Sequence, residues 1–181
     1  MLETARYAPP ECHVSRPAAA PRVRPLDAVD ATDLIDLLSG LDQPSRFSRF
    51  SSAMSDLRLV QHAQHALATS AFVAGAFVED RLRGVVEVYD TGCSGLSEAA
   101  FVVAADWRRR GLGFALLQAA SRWARQSERT TLRLVFSRQN WPMRQLAAKV
   151  GARFDLILDE IEADVAVDPG LPAGQARSTA M

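Results

Sequence analysis

The sequence predicts an α/β (α+β) domain built on a mixed, mostly antiparallel central sheet with helices on both faces. Three observations carry that expectation. Successive β-rich runs between residues 71 and 104 are separated by short polar turns. Beyond Gly113 the apolar period changes from two to about 3.6. Two further strand-like runs follow a last short helix, so helices and strands interleave in one layered unit.

Taken in order, Val23 to Leu26 reads as a short strand. A helix follows, with Asp30 or Thr32 as its cap and Leu34, Ile35, Leu37, Leu38 and Leu41 as its apolar stripe, stopped by Pro44. Helix resumes over 45–64, where Phe47, Phe50, Met54, Leu57 and Val60 recur at spacings of three and four. The runs 71–78 and 82–89 flank Glu79, Asp80 and Arg81 as a hairpin, and 97–104 adds a third antiparallel strand. Leu112, Ala115, Leu116, Ala119, Ala120 and Trp123 line one face of a helix ending near Ser127. Thr131 to Phe136 is a strand, and Pro142 opens a helix that Gly151 ends. Phe154 to Leu158 and Ile161 to Val167 close the fold as a pair of strands.

Composition limits the possible functions. The 181 residues carry 21 basic and 21 acidic side chains, so no global field favours nucleic acid or an anionic membrane, and a basic site must be local. Aromatic residues are 7% and do not alternate with a basic stripe, so neither a nucleic-acid nor a membrane partner is expected. The longest apolar runs fall far short of the ~20 residues of a membrane span, and the start of the chain has no secretory pattern, so a cytoplasmic location is expected. Cys12 and Cys93 stand in unrelated contexts and read as free thiols. Pro-rich, core-poor ends suggest flexible arms at 1–21 and 168–181 around a folded unit of 22–167.

The segment Asp106-Trp-Arg-Arg-Arg-Gly-Leu-Gly-Phe-Ala115 joins an apolar strand to an amphipathic helix. Exposed amides at a helix start seat phosphate oxygens, glycines at 111 and 113 let backbone approach a ligand, and Arg108 to Arg110 add local charge. The dipole alone is worth about 0.3–1 kcal/mol, so several amides and an arginine must act together. A P-loop would need Gly-Lys-Ser/Thr, and a dinucleotide fingerprint would need glycine where Leu116 stands. A plain glycine turn with solvated arginines is the remaining alternative.

Arg108-x-x-Gly111-x-Gly113 resembles the acyl-CoA pyrophosphate loop of the GNAT superfamily of N-acyltransferases. Glu98 to Trp107 is similar to that family's fourth strand entering the loop. Asn140, Met143, Leu146, Lys149 and Gly151 match the Asn-x-x-Met...Gly segment after its fifth strand. Pro44-Ser-Arg-Phe-Ser-Arg-Phe-Ser51 resembles a segment of bacterial protein-lysine acetyltransferases. The resemblance covers about 22–167 and implies direct acetyl transfer from acetyl-CoA to a primary amine, a protein lysine side chain first and a small amine second, without a metal. It implies that Phe101, Val102 and Val103 contact pantetheine. Arg108, Arg109, Arg110, Gly111, Leu112 and Gly113 would hold the pyrophosphate, with Asn140 a further cofactor contact. A catalytically silent acyl-CoA-binding regulatory module is the alternative from another class.

The chemistry needs a base. A lysine amine with a pKa near 10.4 is mostly protonated at neutral pH, and freeing it costs about 4–5 kcal/mol. The resemblance places Glu98 as that base. Glu87 and Asp90, on the preceding strand and its end, are the other candidates, since burial beside another carboxylate raises a carboxyl toward working pH. Many members carry a tyrosine acid seven residues after the asparagine. Ala147 stands there instead, and a thiolate leaves without such help. Arg46 and Arg49 either line the acceptor groove or lie on a solvated helix face. His62 and His65, three residues apart, lack further ligands for a metal. His13 falls in the N-terminal arm. Trp107 and Trp141 either touch ligand or pack beneath loops, and Trp123 is assigned to the core.

Overall fold

A computed structural model of the chain describes residues 20–52 and 54–167, so Cys12, His13 and nearly all of both expected arms lie outside the described residues. The elements are β1 (Arg22–Pro25), α1 (Ala31–Ser39), α2 (Gln43–Phe50), α3 (Asp56–Thr69), β2 (Phe72–Val78), β3 (Arg81–Asp90) and β4 (Leu96–Val103). They continue as α4 (Leu112–Gln126), β5 (Thr131–Ser137), α5 (Trp141–Lys149), β6 (Arg153–Ile157) and β7 (Glu160–Ala166). Seven strands form one sheet in the order β1-β2-β3-β4-β5-β7-β6. Every neighbouring pair is antiparallel except β4–β5, in agreement with the expected mixed sheet.

The first helix differs from expectation at both ends. A 3-10 turn, Ala28–Asp30, precedes α1, and Asp27 caps it by accepting from the Val29 amide. Asp30 occupies the position before α1 but does not cap it. Its carboxylate instead accepts from Arg24 at 2.6 and 2.8 Å and from the Asp27 amide at 3.1 Å, which ties β1 to the helix start. The helix ends at Gly40 rather than Pro44, and Pro44 lies in the first turn of α2, where its missing N–H costs nothing.

The single helix expected over 45–64 is two. Ser51 takes a left-handed conformation at φ 53°, and α3 starts afresh after Ser55. The 3,4-spaced apolar pattern ran across this break, but Phe47 and Leu57 are exposed rather than core. Arg46 staples the turn by donating to the carbonyls of Ser39, Leu41 and Met54 and to Asp56, so it belongs to neither expected setting. The β2–β3 hairpin turns on two residues, Glu79 and Asp80, both with positive φ, a primed turn that suits strand twist.

Two apolar layers hold the sheet. On one face Leu112, Leu116, Leu117 and Ala120 of α4 and Ala147 of α5 cover Val86, Val88, Leu132, Leu134 and Ala163. On the other, Leu34 and Leu38 of α1 and Leu59 of α3 cover Val73, Phe77, Val85 and Val102. Each fully buried leucine contributes about 1.5–3 kcal/mol of transfer free energy. Trp123 lies at the margin of the first layer, stacked on Phe72 at 5.6 Å.

Candidate active site

The sheet opens at its one parallel joint. β4 and β5 are paired only over Leu96–Thr131, Ser97–Leu132 and Glu98–Arg133. Past Glu98, β4 continues to Val103 with β3 as its strand partner, while β5 continues to Ser137 along β7. The strands therefore leave a notch beside Ala99 to Val103, where backbone polar groups of β4 face no other strand. Such groups are strong, unsatisfied hydrogen-bonding sites for an extended ligand. Phe101, Val102 and Val103 lie along this notch, with Phe101 packed against the α4 layer and Val102 against the α1–α3 layer.

The loop after β4 ends at the mouth of the notch. Ala105–Trp107 makes one 3-10 turn, Arg109 adopts φ 61°, and Gly111 takes φ 87° as it enters α4. That positive φ requires glycine, because an L side chain there costs roughly 1–2 kcal/mol. No side chain caps α4, which leaves its first amides and the positive end of a 15-residue helix open to an anion. Leu112 is buried beneath these amides, and Gly113 faces Leu146, so a side chain there would sit in contact with α5. The geometry fits a diphosphate held by amides and arginine.

The three arginines divide their work. Arg108 donates to the Val103 carbonyl at 3.2 Å and to Ser45 Oγ at 2.7 Å. Arg110 lies over the Trp107 ring at 4.7 Å, and Arg83 meets the same ring at 5.3 Å, so Trp107 is a packing platform beneath the loop. Arg109 and Arg110 are both exposed. Asn140 accepts from the Met143 amide as the cap of α5, and its amide nitrogen reaches Ser48 Oγ at 3.4 Å.

These bonds reveal a role for α2 that the sequence did not disclose. Through Ser45 to Arg108 and Ser48 to Asn140, α2 spans the notch from the β4 side to the β5 side. A third tether runs from Arg49, at the end of α2, to Glu87 on β3 at 2.6 Å. Serines on an otherwise ordinary short helix are weak sequence signals, and their partners lie 63 and 92 residues away.

Glu87 lies almost wholly buried among donors: Arg49, His62 Nε2 at 3.0 Å and the Tyr89 hydroxyl, all directed at Oε2. Burial pushes its carboxyl up, but the hydrogen bond with His62 and the charge of Arg49 outweigh it and hold the group down at about 2. Glu87 is thus a permanent anion, contrary to the expectation that burial would raise it toward working pH. Burial and the neighbouring Glu87 charge push the Tyr89 phenol up to about 12, so it stays a donor. His62 is engaged in this cluster, and among the described residues no three metal-ligating side chains converge.

Glu98 has a different setting. It lies opposite Tyr89 across β3 and opposite Arg133 across β5, at the last pair before the notch opens. Sheet geometry places it diagonal to Glu87, about 7–8 Å away. Arg133, the nearest cross-strand cation, is committed to Asp164 at 2.8 and 3.0 Å and to Glu162 at 2.6 Å. None of the ion pairs among the described residues uses Glu98. Asp90 sits at the rim, paired with Arg129 at 2.7 Å. Ala147 is fully buried, so α5 offers no acid at that position.

The family model described as acetyltransferase (GNAT) family matches residues 35–152. The structure resembles the GNAT domain of S. lividans PAT, with a TM-score of 0.70 at 19% identity, covering 81% of this chain and 90% of that one. It also resembles the PaiA N-acetyltransferase from Thermoplasma acidophilum, solved in complex with coenzyme A, with a TM-score of 0.62 at 16% identity over 81% and 99% of the two chains. The ribosomal-protein-S5-alanine acetyltransferase from Vibrio fischeri gives a TM-score of 0.63 at 12% identity over 83% and 94%. No curated protein sequence matches the chain.

Proposed function

The chain belongs to the acetyltransferase (GNAT) family, and from that premise we propose that it moves an acetyl group from acetyl-CoA to a primary amine, with a protein lysine side chain as the acceptor and Glu98 as the general base. The observation that carries this reading is the notch between β4 and β5 that opens at Glu98 and ends at the uncapped start of α4. When bound, acetyl-CoA supplies a thioester carbon as the electrophile. The amides of Gly111 to Gly113, with Arg109 and Arg110, hold the diphosphate, and the backbone of Phe101 to Val103 on the side away from β3, apart from the Val103 carbonyl that Arg108 holds, pairs with the pantetheine arm. Asn140 supports the same wall through α5.

Glu98 faces the same side as Tyr89, Glu87 and Arg133, and in this reading the amine approaches from that side. Its carboxylate takes the proton from the ammonium, directly or through one water. The freed nitrogen attacks the carbonyl, the carbon–nitrogen bond forms and the carbon–sulfur bond breaks, the proton that the nitrogen sheds in becoming an amide passes to the departing thiolate, and Glu98 gives its own proton back to solvent. A thiolate is a good leaving group, which suits a site with a buried alanine at 147. Glu87 keeps Arg49 and α2 in place beside the reaction.

An acceptor panel tests the reading. Purified protein with acetyl-CoA is expected to release thiol in the presence of lysine peptides and to leave acetyl-lysine in the product by mass spectrometry. Turnover only with polyamines or other small amines favours a small-molecule enzyme, and binding without turnover on any acceptor favours a regulatory module.

A further inference from the structure

Strand β6 is the outer edge of the sheet, paired with β7 on one side only. All five of its residues are exposed. Natural edge strands are usually guarded by lysine, proline, a bulge or a covering element, because an unpaired edge templates another strand. Among the described residues none of lysine, proline, a bulge or a covering element lies along Arg153–Ile157, whose guards are the two charges of Arg153 and Asp155. On it and beside it lies a concentration of exposed apolar side chains: Leu156 at 59% and Ile157 at 47% on the strand, Trp141 at 62% and Leu158 at 90% next to it. Leu158 also holds φ 54°, a left-handed conformation unfavourable for leucine. A cleft of about 380 Å³ between Trp141, Arg144, Phe154 and Leu156 continues the patch onto α5.

The charges on the strand select an occupant. Arg153, Asp155 and Ile157 face one side of the sheet, and Phe154 and Leu156 face the other. Asp155 stands opposite Glu162 within the sheet, a like-charge pair, and none of the ion pairs among the described residues uses it. Arg153 reaches Asp164 only at 4.0 Å, with its side chain 80% exposed. Each side chain therefore lacks a close partner of opposite sign, and each is what the other needs.

We propose that β6 pairs antiparallel with β6 of a second copy of this chain, about a two-fold axis through Phe154, so that the two sheets become continuous. In an antiparallel pair, directly opposite residues share the same face and the same outward orientation, so a two-fold axis must pass through a residue pair of one kind. An axis at Asp155 sets aspartate on aspartate, and one at Arg153 sets arginine on arginine. The axis at Phe154 places each Arg153 opposite the partner copy's Asp155, pairs the two phenylalanines, and lays each Leu156 against the other copy's Ala152. It is the register in which both charges meet opposites and an aromatic pair forms. This inference rests on the edge alone and is independent of the acetyltransfer reading.

Sedimentation of the full chain tests it. The protein is expected to run as a dimer that dissociates on dilution. Arg153→Asp and Asp155→Arg should each set like charges opposite one another and weaken the dimer roughly ten- to a hundredfold. Both side chains are exposed, and circular dichroism should show both variants folded. An equimolar mixture of the two variants should dimerise again, because each strand then meets its complement, and so should the double variant carrying both changes. A wild-type protein that stays monomeric at its highest soluble concentration overturns the proposal. So does a dimer indifferent to both single changes, or a mixture that fails to recover.

Discussion

Glu87 and Glu98 occupy neighbouring strands and face the same side of the sheet, yet their surroundings separate them into an anchor and a candidate base. Glu87 has three donors on one oxygen and a carboxyl held at about 2, well below its reference value of 4.5. Because the folded value is depressed, its stabilising effect is complete above about pH 4.5 and is lost as pH falls toward 2, where folded and unfolded forms are both protonated. The difference corresponds to about 3 kcal/mol. Glu87→Gln should lower stability at pH 7 by a similar amount, since Arg49 is left largely buried without its anion, and should remove about 1 kcal/mol of the loss between pH 7 and pH 3.5, the part of the Glu87 effect that falls in that window. Urea denaturation at the two pH values measures both effects. For Glu98→Gln the expectation is a fall in kcat of about 10²–10⁴ with little change in acetyl-CoA affinity, read by steady-state kinetics and titration calorimetry. Both carboxylates were visible as candidates in the sequence. Their separation was not, because the donors to Glu87 come from helices 38 and 25 residues upstream.

At the scale of elements, the strands and α4 were legible because their apolar periods are strong and their ends carry glycine or turn residues. The loop between β4 and α4 was legible for the same reason, since Gly111 sits where positive φ is needed. Gly111→Trp meets nothing at its Cβ but forces a left-handed tryptophan beside the free amides. Titration calorimetry with acetyl-CoA should then show no saturable heat from a protein that still folds. The α2–α3 break was hidden because Phe47, Phe50, Met54 and Leu57 keep helical spacing across Ser51, whereas the decisive facts are exposure and a local backbone twist. Side-chain capping misled in a similar way: Asp30 was read as a cap, but its carboxylate is occupied by Arg24. The bridging by α2 depends on Ser45 and Ser48, small side chains whose meaning is set only by what the fold brings opposite them.

For the whole molecule, the predicted mixed sheet and two helical layers agree with the structure, while the insertion of β7 between β5 and β6 was beyond a reading of strand order. Periodicity reports which face a strand buries but not which neighbour it takes. If the notch and the α4 start bind acetyl-CoA, ligand binding must stabilise the entire unit. At a hundred times the dissociation constant the gain is about 2.7 kcal/mol, which for a domain of about 150 residues is roughly 5–10 °C in Tm. Differential scanning calorimetry with and without acetyl-CoA checks this.

The joint between β4 and β5 is only three residue pairs long. One leaf of four strands and another of three are hinged there like the boards of a book, with α4 as the spine leading from one to the other. A design that exchanged the smaller leaf for that of a homologue would disturb few main-chain bonds, and so could reshape one wall of the cleft while the phosphate seat stayed where it is.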